Sequence, residues 1–167
     1  MRRFCAWVLC AAIFCLPLVG CALQKGDYFA PFRGQFKADV SGEWQSIAFE
    51  GKLEAAAPDE SGARVMTLTF YAPASLCGTV LARDAAGTLT LSAGELSLPL
   101  DEHAAQGYGA LFALFPIAGE VQSVTRENGN IRLNGMGFSL SFAADGTPLA
   151  AENATARVEI TAFEGGA

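Results

Sequence analysis

Short runs of alternating apolar and polar residues recur along most of this 167-residue chain. Every second residue is apolar from Phe36 to Val40, from Met66 to Phe70 and from Phe138 to Phe142. Such alternation places one set of side chains on each face of a strand. Residue pairs typical of tight turns separate several of the runs: Ser41-Gly42, Asn128-Gly129, Asn134-Gly135 and Asp145-Gly146. The sequence therefore predicts an antiparallel β protein whose sheet has one apolar face.

The predicted strands are short and follow one another closely. They span residues 34–40, 44–53, 64–71, 76–82, 88–91, 96–98, 119–125, 131–133, 138–142 and 157–163. Pro73 ends the third strand, because proline cannot donate a hydrogen bond to a neighbouring strand.

One segment, Asp101 to Phe115, breaks the alternation. Its apolar residues recur at helical spacing, at Ala104, Tyr108, Leu111, Phe112 and Phe115. Asp101 can cap the first turn, and Pro116 stops the helix. Gly107 and Gly109 either divide the helix or let it lie close to a sheet. We predict a mainly β fold: a single curved antiparallel sheet, or half-barrel, whose apolar face is covered by this one mid-chain helix.

The N-terminus predicts export. Arg2 and Arg3 precede an apolar run from Phe4 to Val19, which is shorter than the roughly 20 residues that a spanning helix needs. A basic start, a short apolar core and small residues are typical of a secretory signal. The ending Leu18-Val19-Gly20-Cys21 resembles the lipobox of bacterial lipoproteins, where cleavage precedes a cysteine whose sulfur carries a diacylglycerol.

This resemblance implies a signal peptide over residues 1–20, a lipidated tether over residues 21–33 that begins with Cys21, and a single domain over residues 34–167. The lipid on Cys21 would anchor the protein to the cell membrane or the outer membrane, on the extracytoplasmic side.

The order of lipobox, short tether, several strands, one helix and more strands resembles the LolA/LolB-like envelope proteins, whose open half-barrel holds acyl chains. The resemblance covers most of residues 34–163 and lies in element order, without a signature motif; this chain has fewer helical segments. It implies a hydrophobic ligand, a lipid or acyl chain, in the concavity of the sheet. The candidate cavity-lining residues are Phe36, Phe49, Met66, Leu68, Phe70, Leu111, Phe112, Phe115, Phe138 and Phe142; a filled core is the alternative for them.

Charge and residue chemistry disfavour other classes of function. Loss of Arg2 and Arg3 with the signal peptide would take the net charge from −6 to about −8, which disfavours nucleic acid. His103 lies beside Asp101 and Glu102, but neighbouring residues at a helix start point in different directions. We therefore predict no catalytic residue, no metal site and no cofactor. Cys77 is predicted to be a small buried side chain, with a reactive thiol as the alternative.

Three functions remain open at this stage. The favoured one is a membrane-anchored envelope lipoprotein that binds a hydrophobic ligand. The second is a non-enzymatic interaction or accessory module that binds another envelope protein. The third, a hydrolase with an unrecognised site, lacks any of the familiar catalytic constellations.

Overall fold

The computed structural model describes residues 27–165, so the predicted signal peptide, the lipobox and Cys21 lie outside the described residues. The described part contains two helices, α1 (Ala30–Arg33) and α2 (Glu102–Phe112). Its eleven strands are β1 (Phe36–Trp44), β2 (Ile47–Ala55), β3 (Met66–Ala72), β4 (Thr79–Arg83), β5 (Leu89–Ala93), β6 (Leu96–Pro99), β7 (Val121–Glu127), β8 (Asn130–Gly135), β9 (Phe138–Phe142), β10 (Pro148–Asn153) and β11 (Ala156–Gly165). Neither helix is long and apolar enough to cross a membrane.

The eleven strands form one antiparallel sheet in the order β6-β5-β4-β3-β2-β1-β11-β10-β9-β8-β7. Neighbours in sequence pair with each other, and the pairing of β1 with β11 joins the two halves of the chain. Within residues 27–165 the sheet does not close, and no strand pairs with the outer edges of β6 and β7, which we call the free edges. The helix α2 lies in the connection between these two edges and covers the apolar face. The predicted half-barrel with a mid-chain helix is confirmed.

Two glycines allow neighbouring strands to approach closely in the middle of the sheet. A Cβ atom on Gly42 would overlap the carbonyl oxygen of Arg157 and lie 2.8 Å from Cα of Val158. A Cβ atom on Gly51 would lie 2.5 Å from the carbonyl oxygen of Thr69. Glycines at such positions let a sheet bend sharply, so these two support the curvature of the half-barrel.

The predicted turn at Ser41-Gly42 is therefore wrong. The strand β1 continues through Gly42, which serves the close approach to β11. The chain turns instead at Gln45 and Ser46, which have φ angles of 49° and 66°. Left-handed φ at both central residues matches the twist of a two-residue hairpin, although neither residue is one of the Asn, Asp or Gly residues that usually form this turn.

The second half of the sheet shows two confirmed turns, one misplaced turn and one missed strand. The predicted turn at Asp145-Gly146 is confirmed, with a φ angle of 88° at Gly146. Asn128 and Gly129 also form a turn as predicted, with φ angles of 53° and 84°. The predicted turn at Asn134-Gly135 is wrong, because Asn134 pairs with Ser139 inside the sheet. The strand β10, with the sequence P-L-A-A-E-N, was not predicted. It lacks β-branched residues, and its place between β9 and β11 supplies the partners that make it a strand.

The start of α2 agrees with prediction and its end does not. The carboxylate of Asp101 accepts a hydrogen bond from the backbone N–H of Ala104 at 2.9 Å, as an N-cap does. The helix ends at Phe112 rather than at Phe115. It is not divided at Gly107, where the indole N–H of Trp44 donates to the carbonyl oxygen at 3.1 Å. The glycine thus lets the helix lie close to the end of β1.

The segment before β1 packs into the core. Phe32 in α1 is fully buried and Phe29 is 7% exposed. The Phe32 ring lies within 6.3 Å, centroid to centroid, of four other rings, those of Phe36, Phe115, Phe142 and Phe163. The described part of the predicted tether, residues 27–33, therefore contributes side chains to the interior of the half-barrel.

Candidate functional site

The predicted cavity-lining residues are brought together by the fold. Nine of the ten are buried and Phe138 is half-buried. They belong to one hydrophobic cluster between the concave face and the two helices. Their rings pack against one another, with centroid distances of 5.9 Å between Phe36 and Phe115 and 5.7 Å between Phe49 and Phe70.

Several members of this cluster were not predicted as cavity residues. Phe29 and Phe32 belonged to the predicted tether, although their apolar character was a signal that the segment is not a free linker. Leu133 and Leu140 lie on the inner face of β8 and β9, where alternation in the short strands indicates them. The other unpredicted buried side chains of the cluster include Trp44, Leu53, Leu81 and Leu114.

A row of leucines on the concave face shows where the interior opens. Residues Leu53, Leu68, Leu81, Leu91 and Leu98 lie opposite one another on β2 to β6. The first three are at most 3% exposed, Leu91 is half-buried, and Leu98 is 63% exposed. Leu96, two residues earlier on the same face of β6, is 73% exposed. The apolar lining thus continues without cover to the free edge at β6, an opening that we call the leucine edge (Leu91, Leu96 and Leu98).

A second opening lies beside α1. A depression of about 600 Å³ is lined by Tyr28 and Pro31 on one side and by Ile131 and Phe142 on the other, with Arg126 and Asp145 among the remaining residues. We call it the α1 groove. Phe142 is one of the predicted cavity-lining residues and also touches the ring of Phe32, so the groove leads to the buried cluster.

Another depression, of about 730 Å³, lies elsewhere on the sheet. It is lined by residues of the β1–β2 and β10–β11 hairpins, including Ser41, Glu43, Arg157 and Glu159. None of the ten predicted residues lines it. Because eight of its twelve lining residues are polar or charged and none of the predicted cavity-lining residues is among them, we place the candidate site in the interior and its two openings.

A buried arginine ties the two helical segments to the sheet. Arg64 lies in the loop between β2 and β3 and is 8% exposed. Its guanidinium donates to the carbonyl oxygen of Phe32 at 2.6 Å and to that of Phe115. Its charge also lies 5.3 Å from the centroid of the Phe36 ring, a favourable cation–π distance. Separation of α1 from the segment after α2 must therefore break these contacts.

The electrostatic environment of Arg64 is unusual. Burial and, as a smaller contribution, the nearby charge of Arg83 together lower the pKa of Arg64 to about 10. Within residues 27–165 no carboxylate lies within 4 Å of its guanidinium. The desolvation cost is offset by charge-assisted hydrogen bonds to carbonyl groups, so the two carbonyl partners hold the charge in place.

The loop that presents Arg64 is held by Asp59. Its carboxylate accepts hydrogen bonds from the backbone N–H groups of Ser61 at 2.8 Å and of Ala63 at 3.0 Å, and from the Ser61 hydroxyl at 2.6 Å. These hydrogen bonds lower the pKa of Asp59 from its usual 3.8. A carboxyl group with a depressed folded-state pKa stabilises the fold above its unfolded pKa, and this stabilisation is lost as the pH falls through the folded pKa.

We therefore expect Asp59→Asn to be less stable than the native chain at pH 7 and to approach it in stability as the pH falls below about 3.8, the ordinary pKa of an aspartate. Urea unfolding of both proteins between pH 2 and pH 7, in about one-unit steps, measures the difference. A difference that stays constant down to pH 2 would contradict the role of these hydrogen bonds.

Asp101 caps α2, and within residues 27–165 no group of three or more His, Cys, Asp or Glu side chains is placed to hold a metal ion. The prediction that Cys77 is buried is wrong: the thiol is exposed. It lies in the turn between β3 and β4, where Gly78 donates to the carbonyl oxygen of Phe70 and leaves Cys77 on the outside.

Comparisons with known proteins relate the chain to others by structure alone. Neither a protein-family model nor a curated protein matches the sequence. A crystal structure of MucB aligns with a TM-score of 0.51 and 16% identity, covering 89% of this chain and 60% of MucB. At this identity the likeness shows a shared fold. An uncharacterized conserved protein from Thermus thermophilus aligns with a TM-score of 0.47 and 15% identity, covering 80% of each chain. A LolA superfamily protein from Nitrosomonas europaea aligns with 0.40 and 8%, covering 83% of this chain and 90% of its own.

Proposed function

We propose that this protein is a lipid-anchored, extracytoplasmic envelope protein that binds a lipid or acyl chain in the interior of the half-barrel. The leucine edge carries the proposal, because it continues the buried inner face of the sheet to solvent through Leu91, Leu96 and Leu98. Monomeric proteins rarely expose contiguous apolar surface without an interaction that uses it.

The α1 groove supports the same function from the other side. Seven of its ten lining residues are uncharged and three, Asp27, Arg126 and Asp145, are charged. A mainly apolar lining with a small number of polar groups is typical of small-ligand sites. An acyl chain that entered the groove would first contact the rings of Phe142 and Tyr28. The centroids of these two rings lie 6.2 Å apart. Penetration beyond that point would require Phe32 and the rest of α1 to move.

The leucine edge is tested by Leu98→Glu. Burying a leucine side chain contributes about 1.5–3 kcal/mol, so we expect the variant to bind a fluorescent fatty acid at least about tenfold more weakly than the native chain. Ser97→Glu is the matched control, because Ser97 is exposed on the same strand but points to the other face. Fluorescence titration measures both.

Two outcomes would overturn the ligand proposal. One is equal binding by the Leu98→Glu and Ser97→Glu variants, which would remove the leucine edge from the site. The other is a native chain that carries no lipid on purification and shows no mass shift in native mass spectrometry after addition of palmitate or phosphatidylglycerol. The buried rings would then be a filled core only.

The lipid anchor is tested separately. Expression of the full chain in a bacterial envelope should give a mature protein that begins at Cys21 and carries a diacylglycerol mass on that residue. Cys21→Ser should remove the added mass and block the cleavage that the lipobox directs. An unmodified Cys21 in membrane-purified protein would contradict the anchor and leave the ligand proposal intact.

A further inference from the structure

The two free edges of the sheet differ in their ability to accept another strand. The β6 edge is four residues long and ends in Pro99, which has no backbone N–H to donate. The β7 edge is seven residues long and has no proline. All its side chains are exposed except that of Val124, which is half-buried. An uncovered edge of this kind presents unpaired N–H and C=O groups to any strand that approaches.

The hairpin turn determines which backbone groups of β7 are unpaired. Asn128 and Gly129 form a two-residue turn, so the flanking residues Glu127 and Asn130 form the first hydrogen-bonded pair. Hydrogen-bonded and non-hydrogen-bonded pairs alternate along an antiparallel ladder. Val124 and Arg126 therefore direct their N–H and C=O groups to the free edge.

The regular part of β7 is short and ends at an irregularity. The register with β8 shifts between Val121 and Ser123, which places a bulge at the start of the strand. The regular edge is thus the five residues from Ser123 to Glu127. Within residues 27–165, Arg126 forms no ion pair within 4 Å, so no ion pair of this residue has to break when a strand adds to the edge.

We propose that a second copy of this chain adds to the β7 edge as an antiparallel strand, with Thr125 of each copy facing Thr125 of the other. This register overlaps the five regular residues completely. Val124 then lies opposite Arg126 of the second copy, and the two pairs of this kind form four backbone hydrogen bonds. Ser123 lies opposite Glu127, and threonine pairs across strands are favourable.

Neighbouring registers are less favourable. A shift towards the hairpin turn would place Arg126 opposite Arg126 of the second copy, and like charges directly opposite are destabilising. A shift the other way would depend on Gln122, which lies in the bulge. Charge and regularity together select the register centred on Thr125.

This arrangement joins the two half-barrels into one continuous sheet with both concave faces on the same side. Arg126 also lines the α1 groove, so the α1 grooves of the two copies would meet at the shared edge. An overlap of five residues buries less surface than a standard stable interface. The association is therefore weak, and the dimer depends on local protein concentration.

The full chain in a bacterial envelope provides the test. Two differently tagged copies are co-expressed, each with the photo-crosslinking residue p-benzoyl-L-phenylalanine at position 125 or, as control, at position 97 on the β6 edge. Crosslinking at 125 should give a band that carries both tags, and crosslinking at 97 should not. A crosslink from 125 to a different protein only, no crosslink from 125, or equal self-crosslinking at both positions would overturn the proposal.

Matched variants test the register. Arg126→Pro removes an N–H from the free edge alone and should lower the crosslinking yield about tenfold, whereas Arg126→Ala keeps that N–H and should stay within about twofold of the native yield. Ser123→Glu, which faces Glu127 of the second copy, should lower the yield and Ser123→Lys should raise it. This pair leaves the backbone unchanged and decides the register if the proline variant does not fold. Equal yields from Ser123→Glu and Ser123→Lys would overturn the proposal, whatever the outcome of the fatty acid titrations.

Discussion

Replacement of Gly42 by alanine is expected to lower the free energy of unfolding by about 3 kcal/mol or more. The new Cβ would overlap the carbonyl oxygen of Arg157 and lie 2.8 Å from Cα of Val158. Both obstacles are backbone atoms, so no side-chain rotation can relieve the overlap. The strands β1 and β11 would have to separate at the pairing that joins the two halves of the sheet.

Urea unfolding followed by circular dichroism measures this loss, with Gly109→Ala as the control. A Cβ on Gly109 would lie 3.7 Å from the nearest atom, Cδ1 of Leu89, which is an ordinary contact. Alanine is about 1 kcal/mol more favourable than glycine inside a helix, so the control should be slightly more stable than the native chain. A Gly42→Ala variant as stable as the native chain would show that β1 and β11 separate without cost.

The second large effect is expected for Arg64→Met. Methionine keeps an apolar stem of similar length but leaves the carbonyl oxygens of Phe32 and Phe115 without their donor. A buried acceptor left unpaired costs about 1–3 kcal/mol, so we expect a total loss of about 2–4 kcal/mol. Removal of the buried charge also removes its desolvation cost. The expected loss in the free energy of unfolding is therefore smaller than the sum of the costs of two unpaired carbonyl groups.

The matched control is Arg83→Met, because Arg83 is an exposed arginine near the same site and surface substitutions usually change stability by less than about 0.5 kcal/mol. Arg64→Met should also raise the rate at which the native-like protein takes up a fluorescent fatty acid, because α1 and the segment after α2 are no longer held together. Equal stability and uptake for the two variants would contradict the role of Arg64.

Local patterning was sufficient for the strands whose two faces differ in polarity. Residues 66–70 and 138–142 alternate so regularly that a shift by one residue would expose the whole apolar set, and the structure places both runs as predicted. The cap at Asp101 and the turn at Asn128-Gly129 are equally local, because each depends on residues within a few positions of one another. The buried cluster follows from this alternation in the strands and from the helical spacing of Leu111, Phe112 and Phe115, and the ten predicted residues lie together.

Features that depend on residues distant in sequence could not be predicted from such local patterns. The pair Ser41-Gly42 predicts a turn from sequence, and only the position of β11 against Gly42 shows that this glycine serves close strand packing. The strand β10 has no strand-forming sequence, and its neighbours on both sides supply its hydrogen bonds. Phe32 is buried only because the residues that surround its ring come from four other parts of the chain.

The sequence by itself determined the mainly β class, the strands with regular alternation, the single mid-chain helix and the apolar composition of the inner face, because each of these is a short-range pattern of side chains. The tertiary structure alone decided where that inner face is exposed. The half-barrel leaves β6 and β7 unpaired, so Leu98 reaches solvent at one edge while Leu81, two strands further in, is fully buried. Leucines in one row therefore differ in solvent exposure, because the exposure of each side chain depends on which other residues pack over it.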